Sequence, residues 1–71
     1  MTILEAAIQV LNHRGGAMSV KEIYGAIIAT ELYQFGAKSP RSVLSGTLRN
    51  HLKTSPQPRI SEVSKGVFRA I

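Results

Sequence analysis

The 71-residue sequence predicts one small, mostly α-helical domain that ends in a β-hairpin. Three segments open with a helix start signal and continue with apolar residues at helical spacing. Residues 59–71 instead contain two short runs of β-branched and aromatic residues, separated by a Ser-Lys-Gly turn. The predicted order of elements is therefore helix, helix, helix, hairpin.

Helix 1 is predicted over residues 3–13. Thr2 and Glu5 fit a capping box, in which a hydroxyl side chain and a glutamate three residues later each accept a hydrogen bond from a backbone N–H group. Gly15 and Gly16 end the helix, because glycine readily takes the left-handed conformation. The expected buried side carries Ile3, Leu4, Ala7, Ile8 and Leu11.

Helix 2 is predicted over residues 20–31 and begins at a second capping box, formed by Ser19 and Glu22. Met18 and Ile23 stand where a hydrophobic staple packs across a helix start. An irregular connector over residues 32–36 follows, and its aromatic side chains are expected to cover the edge of the core. The expected buried stripe of the helix carries Val20, Ile23, Tyr24, Ile27 and Ile28, with Leu32 as an extension.

Helix 3 is predicted over residues 40–53, with Ser39 as the N-cap and Pro40 at the first helical position. Gly46 lies in the middle of this helix and costs roughly 1 kcal/mol of helix stability relative to alanine. It indicates a close approach at this point, either by helix 1 or 2 or by a ligand. The side expected to face the core carries Val43, Leu44, Thr47, Leu48 and Leu52.

The predicted hairpin turns at residues 64–66, where Gly66 is available for a positive φ. Ile60 and Val63 cannot both face inward without a bulge or a twist. Three helices followed by a two-stranded ribbon is the outline of a winged helix-turn-helix, whose third helix typically enters the major groove of DNA. The long connector between helices 2 and 3 departs from the short turn of the simplest helix-turn-helix proteins.

The net charge of +5 is concentrated in the C-terminal half of the chain. Two cations and three glutamates in residues 1–37 give −1, whereas seven cations and one glutamate in residues 38–71 give +6. This asymmetry indicates an anionic partner for the second half. The alternative is a basic surface that only keeps a small domain in solution.

Composition argues against several other classes of protein. Without cysteine, the chain can form neither disulfides nor thiolate metal sites. Its apolar runs are too short to span a bilayer, and its start lacks the basic region of a signal peptide. His13, His51 and the glutamates show no metal-ligand or nucleophile–base spacing. We therefore expect no enzyme, no metal, no cofactor, no membrane and no small-molecule substrate, and a cytoplasmic location (the nucleoid in a bacterium, the nucleus in a eukaryote).

The polar side of helix 3 carries residue types suited to DNA. Arginine hydrogen-bonds guanine, asparagine hydrogen-bonds adenine, and serine adapts to bases or phosphates. Base-edge contacts are predicted for Arg49 and Asn50, with Ser42 and Ser45 beside them. Phosphate contacts are predicted at the start of the helix, along it and on the hairpin, at Lys38, Arg41, Lys53, Lys65 and Arg69. Ser39, at the helix start, is also predicted to contact DNA. Each of these side chains taken alone also fits a solvated surface residue, and His51 fits a position partly in the core.

Several motifs together resemble one family. They are the helix 1 pattern over residues 3–11, the run from Met18 to Ile23, the Lys38-Ser39-Pro40 entry to helix 3, and the closing Gly66-Val67-Phe68. On these motifs the chain resembles the HARE-HTH family of winged helix-turn-helix domains, related to those of the RNA polymerase delta subunit, Asx-like chromatin proteins and some restriction endonucleases. Ile60 departs from the pattern, since that position is often aromatic in the family.

The resemblance implies a DNA-associated module, often fused to enzymatic or chromatin-related domains. The sequence stops almost directly after the last predicted strand, from which we expect a domain of a longer protein or a minimal stand-alone one. The resulting prediction is a monomeric, non-enzymatic winged helix-turn-helix that binds double-stranded DNA. The alternative is a protein-interaction adaptor of a transcription, chromatin or restriction-modification protein. In that alternative Tyr33 and Phe35 form an exposed patch, and the basic half meets an acidic partner or other domains of a longer chain.

Overall fold

The computed structural model describes residues 2–36 and 38–71 of the chain. Three helices and a small antiparallel sheet confirm the predicted fold class. Each helix boundary lies within one residue of its predicted position. In chain order the elements are α1 (Ile3–Arg14), β1 (Met18–Ser19), α2 (Val20–Thr30), α3 (Pro40–Thr54), β2 (Ile60–Ser64) and β3 (Val67–Ala70).

Both predicted capping boxes form. At α1, the N–H of Thr2 donates to Glu5 Oε1 at 2.8 Å, and the N–H of Glu5 donates to Thr2 Oγ1 at 3.1 Å. At α2, the N–H of Ser19 donates to Glu22 Oε1 at 2.9 Å, and the N–H of Glu22 donates to Ser19 Oγ at 3.2 Å. Each box satisfies backbone donors that a helix start leaves without an intrahelical partner.

The start of α3 is built differently from the prediction. Ser39 stands at the N-cap position and its carbonyl accepts from the N–H of Val43 at 3.1 Å, but its side chain makes no capping hydrogen bond. Its ψ is 72°, whereas Thr2 and Ser19 have ψ values of 166° and 163°. The different backbone rotation turns the Ser39 hydroxyl away from the N–H groups of the first turn.

The sheet contains a strand that the sequence prediction missed. β1 pairs antiparallel with β3, so that Met18 lies opposite Phe68 and Ser19 opposite Val67. The strand order is β1-β3-β2, which makes β3 central. A two-residue strand is too short to show an alternation of apolar and polar residues. Only its pairing with a distant part of the chain identifies it.

The hairpin contains a β-bulge, as the imperfect alternation of its apolar residues predicted. Glu62 pairs with Phe68 and Ser64 pairs with Val67, which leaves Val63 as the extra residue of a bulge. Val63 is 48% exposed, whereas Ile60 is fully buried. The bulge therefore does not turn Val63 into the core.

The core lies where α1 packs against α2, α3 and β3. Two predicted core positions were wrong: Ile28 is 46% exposed and Val43 is 39% exposed. Each lies at the edge of the apolar stripe of its helix, outside the part of the stripe that packs against neighbouring elements. The buried residues form one cluster, Ala6, Ala7, Ile8, Val10, Leu11, Met18, Ile23, Ile27, Leu44, Leu48, Ile60 and Phe68.

The aromatic residues of the connector cover the core edge, as predicted. Phe35 packs against Tyr24 and Tyr33, with ring centroids 5.2 Å and 5.1 Å apart, in tilted and edge-on arrangements. Tyr33 and Phe35 are both half-buried against the core cluster. The exposed Tyr33/Phe35 patch of the adaptor alternative is therefore not present.

Within residues 2–36 and 38–71, none of the helices is both long and apolar enough to cross a membrane.

Candidate nucleic-acid interface

The solvent-facing side of α3 is centred on Gly46. Leu44 and Leu48 are fully buried and mark the side that faces the core. Successive helix residues are rotated by about 100°, which puts position 46 on the opposite side. The exposed polar residues that project within about 60° of Gly46 are Ser42, Arg49, Asn50 and Lys53.

A groove of about 630 Å³ runs between this face of α3 and the start of α2. Of the predicted site residues, Arg41, Ser42, Ser45 and Arg49 line it. Gly46, Val20 and Lys21 complete the lining. Three cations and two hydroxyls thus line one shallow, open surface whose lining includes no carboxylate, and such a surface attracts anions.

Lys21 is the groove residue that sequence reasoning missed. It belongs to the half of the chain whose charges sum to −1, and in the sequence it is part of a capping-box motif. The packing of α2 against α3 brings it beside Arg41 and Arg49. A weak signal was present, because Lys21 falls outside the apolar stripe that runs through Val20, Ile23 and Ile27.

The turn of the hairpin lies against the start of α2. The carbonyl of Gly66 accepts from the N–H of Val20 at 3.0 Å, and the pairing of Ser19 with Val67 continues the same contact. Glu62 Oε2 accepts from the N–H of Gly66 at 3.1 Å, and Gly66 has a φ of +76°, which favours glycine. The turn is thereby anchored beside the start of α2, and Lys65 is exposed in it, although Lys65 does not itself line the groove.

His51 serves the fold rather than the exposed face. Its Nε2 accepts from the N–H of Arg59 at 3.0 Å, which ties the last turn of α3 to the start of the hairpin. The carbonyl of Arg59 in turn accepts from the N–H of Ile71 at 3.0 Å. The half-buried placement agrees with the sequence interpretation of His51 as partly in the core.

The remaining basic residues lie in different places. Lys38 and Lys53 are exposed near the two ends of α3. Arg69 lies beside Gly15 and Gly16, at the end of α1, and does not line the groove. Arg59 shares a depression with Glu5 on the outer side of α1 and is likewise outside the groove.

Two of the four glutamates have lowered pKa values because they accept hydrogen bonds at helix starts. The N–H of Thr2 is the main cause that lowers the pKa of Glu5 below 4.5, and the N–H of Ser19 does the same for Glu22. Glu22 Oε2 also lies 3.8 Å from a guanidinium nitrogen of Arg14, an exposed ion pair that contributes little stability. The charge of Glu22 is thus directed toward Ser19 and Arg14 rather than into the groove.

Residues 1–70 match the HARE-HTH family model, whose description names ASXL and the restriction endonuclease HTH domain. The chain belongs to the HARE-HTH family. HARE-HTH domains are winged helix-turn-helix domains that generally bind DNA, and the match covers every element of the fold. Neither the curated proteins nor the solved structures contain a significant match to the chain.

Proposed function

We propose that this HARE-HTH domain is a non-enzymatic module that binds double-stranded DNA, with α3 in the major groove and the β2–β3 turn along the phosphate backbone. The observation that carries the proposal is the groove between α2 and α3, where Lys21, Arg41 and Arg49 converge. The exposed polar face of α3 and the anchored turn at Lys65 extend the same basic surface. The arrangement matches the way in which helix-turn-helix domains dock on a duplex.

The proposed roles follow from side-chain chemistry and position. Arg49 and Asn50 read base edges, because guanidinium and amide groups can each form two hydrogen bonds to one base. Ser42 and Ser45 contact bases or phosphates beside them. Phosphate contacts are assigned to Lys21, Lys38, Ser39, Arg41, Lys53 and Lys65, while Arg69 stays a prediction without support from the groove. Without a matching sequence, DNA affinity is expected to be micromolar or weaker at physiological salt, on the order of a dissociation constant of 10⁻⁶ to 10⁻⁴ M.

The adaptor alternative has less support. It depended on an exposed aromatic patch at Tyr33 and Phe35, and these side chains are half-buried against the core. The basic half of the chain remains compatible with an acidic protein segment. A setting in transcription, chromatin or restriction-modification stays a prediction of the family resemblance.

The test is a titration of a fluorescently labelled mixed-sequence duplex with the domain at several salt concentrations, followed by anisotropy. Arg49→Ala and Lys65→Ala are expected to weaken binding by about fivefold or more each, and rising salt is expected to weaken binding by the wild type. Arg59→Ala is the matched control. It removes one positive charge from the depression on the outer side of α1, outside the groove. The hydrogen bond from the backbone N–H of residue 59 to His51 does not involve the side chain and is retained.

No binding by the wild type at low salt would contradict the proposal and favour the adaptor alternative. Equal losses in all three variants would show that only net charge matters, which would contradict the assigned orientation of α3 and the turn. Thermal melting of each variant separates loss of binding from loss of the fold.

A further inference from the structure

Nothing in the described part of the domain, residues 2–36 and 38–71, explains the glycine at position 46. A Cβ atom added to Gly46 would meet none of its atoms within 4 Å, so neither α1 nor α2 approaches it closely. Its φ is not positive, unlike the φ of Gly15 and Gly66, so its backbone conformation suits any residue. Close helix packing, one of the two explanations that the sequence allowed, is therefore excluded. The same is true of Gly25 in α2, so it is the place of Gly46 in the groove that favours the other explanation, close approach by a ligand.

The surroundings of Gly46 favour a ligand. Gly46 lies at the centre of the solvent-facing side of α3 and lines the groove that Lys21, Arg41 and Arg49 make basic. Glycine in an exposed helix interior is unfavourable relative to almost every other residue type. A helix-weakening residue therefore occupies the point of α3 that projects furthest from the core.

We infer that Gly46 is a positioning residue for DNA, and that its missing side chain lets the edge of a base pair approach the α3 backbone. The inference rests on the proposed DNA-binding function. A helix that docks in the major groove is stopped by whichever group first meets the bases. With only a hydrogen atom at position 46, the helix approaches the bases more closely before any group of α3 meets them. α3 therefore sits deeper in the major groove.

The depth of docking determines what the neighbouring side chains reach. Ser42 has a short side chain and contacts DNA only if the helix backbone comes close. Arg49 and Asn50 need donor–acceptor distances near 3 Å, because hydrogen bonds weaken steeply with separation and misalignment. A bulky side chain at position 46 holds all three groups away from the duplex and removes their contacts together.

The experiment compares Gly46→Ala and Gly46→Leu with a matched pair at Gly25. Gly25 is an exposed glycine inside α2, a Cβ there also meets no atom of the described residues within 4 Å, and it does not line the groove. All four substitutions are expected to raise Tm by several degrees, because alanine and leucine are better helix formers than glycine. If Gly46 had only a structural role, none of the four variants would lose affinity for DNA.

Affinity for the labelled mixed-sequence duplex distinguishes the two positions. We expect Gly46→Leu to raise Kd by about tenfold, and Gly46→Ala to raise it by a smaller factor. Both Gly25 variants are expected to bind as the wild type does. A more stable variant that binds DNA less tightly is the signature of the proposed positioning role.

Wild-type affinity in Gly46→Leu would overturn the inference while leaving the proposed function intact. An equal loss in Gly25→Leu would also overturn it, because the effect would then not be local to the face of α3. Absence of binding by the wild-type domain would instead overturn the proposed function, and the inference with it.

Discussion

Asn50 and His51 are neighbours in the chain with different surroundings. Asn50 is exposed on the face of α3 that carries Arg49, whereas His51 is half-buried and accepts a hydrogen bond from Arg59. A rotation of about 100° between successive helix residues separates the two side chains. The sequence left Asn50 open as a DNA contact or a solvated surface residue and placed His51 partly in the core, and the structure separates a proposed DNA contact from a structural link.

We expect His51→Ala to unfold more easily than Asn50→Ala, by about 1 kcal/mol in the free energy of unfolding. The two substitutions have similar effects on helix propensity, because histidine and asparagine rank close together. The difference therefore reports the bond from the Arg59 N–H to the ring and the packing of the ring. Chemical denaturation followed by circular dichroism measures it.

DNA affinity is expected to respond in the opposite way, with a loss in Asn50→Ala and little change in His51→Ala under conditions where both are folded. Equal stability of the two variants would show that water replaces the His51 acceptor without cost. Equal DNA affinity would remove Asn50 from the proposed contacts.

The three helices differ in how their starts are stabilised. The capping boxes of α1 and α2 are strongest when Glu5 and Glu22 are ionised, because their carboxylates accept from the N–H groups of Thr2 and Ser19. The start of α3 has Pro40 in the first turn, and the Ser39 side chain does not cap it. Stability of the first two helices is therefore linked to pH through carboxylates, and the start of α3 has no such link through its N-cap side chain.

We expect the domain to lose stability as the pH falls below about 4.5, the ordinary pKa of these carboxyls. The folded-state pKa values of Glu5 and Glu22 are lowered, so the unfolded chain takes up protons before the folded one does. Their contribution is complete above the unfolded pKa and disappears as the pH falls through the folded pKa.

Melting temperature measured from neutral to acidic pH checks this expectation in the wild type and in the double variant Glu5→Gln/Glu22→Gln. Glutamine can still accept the capping hydrogen bonds but does not titrate, so the double variant is expected to show a shallower acid decline. Parallel curves for the two proteins would show that other groups cause the decline.

The basic surface of the whole molecule is assembled from three separated parts of the chain. α3 supplies Arg41 and Arg49 and the start of α2 supplies Lys21 to the groove, and the β2–β3 turn beside the start of α2 adds the exposed Lys65. The hydrogen bond from the Val20 N–H to the Gly66 carbonyl joins the turn to α2. The surface is thus a property of the fold, and a charge count by halves of the chain understates it.

We expect Lys21→Ala to reduce the salt dependence of DNA binding. Each neutralised phosphate contributes about −0.9 to the slope of log K against log salt concentration, so loss of one phosphate contact makes the slope shallower by about 1. Titrations of the same duplex over a range of salt concentrations measure the slope. Arg59→Ala is expected to leave it unchanged, and an unchanged slope in Lys21→Ala would remove that residue from the proposed interface.

The sequence by itself determined the three helices, the hairpin, the capping boxes of α1 and α2, and the polar side of α3 that carries Arg41, Ser42, Ser45, Arg49 and Asn50. These features depend on residues that are close together in the chain, where helical periodicity, capping and turn chemistry act. The motifs that resemble HARE-HTH domains are of the same local kind, and the match over residues 1–70 confirmed the family.

Only the tertiary structure decided which distant residues meet. The pairing of β1 with β3, the acceptor role of His51, the place of Lys21 in the groove and the open space around Gly46 all depend on how separated elements pack. No local pattern encodes such contacts, because they arise when apolar faces from separate parts of the chain are buried together. For that reason the sequence pointed to α3, and the packing of α2 against α3, with the turn beside the start of α2, defined the surface proposed to hold DNA.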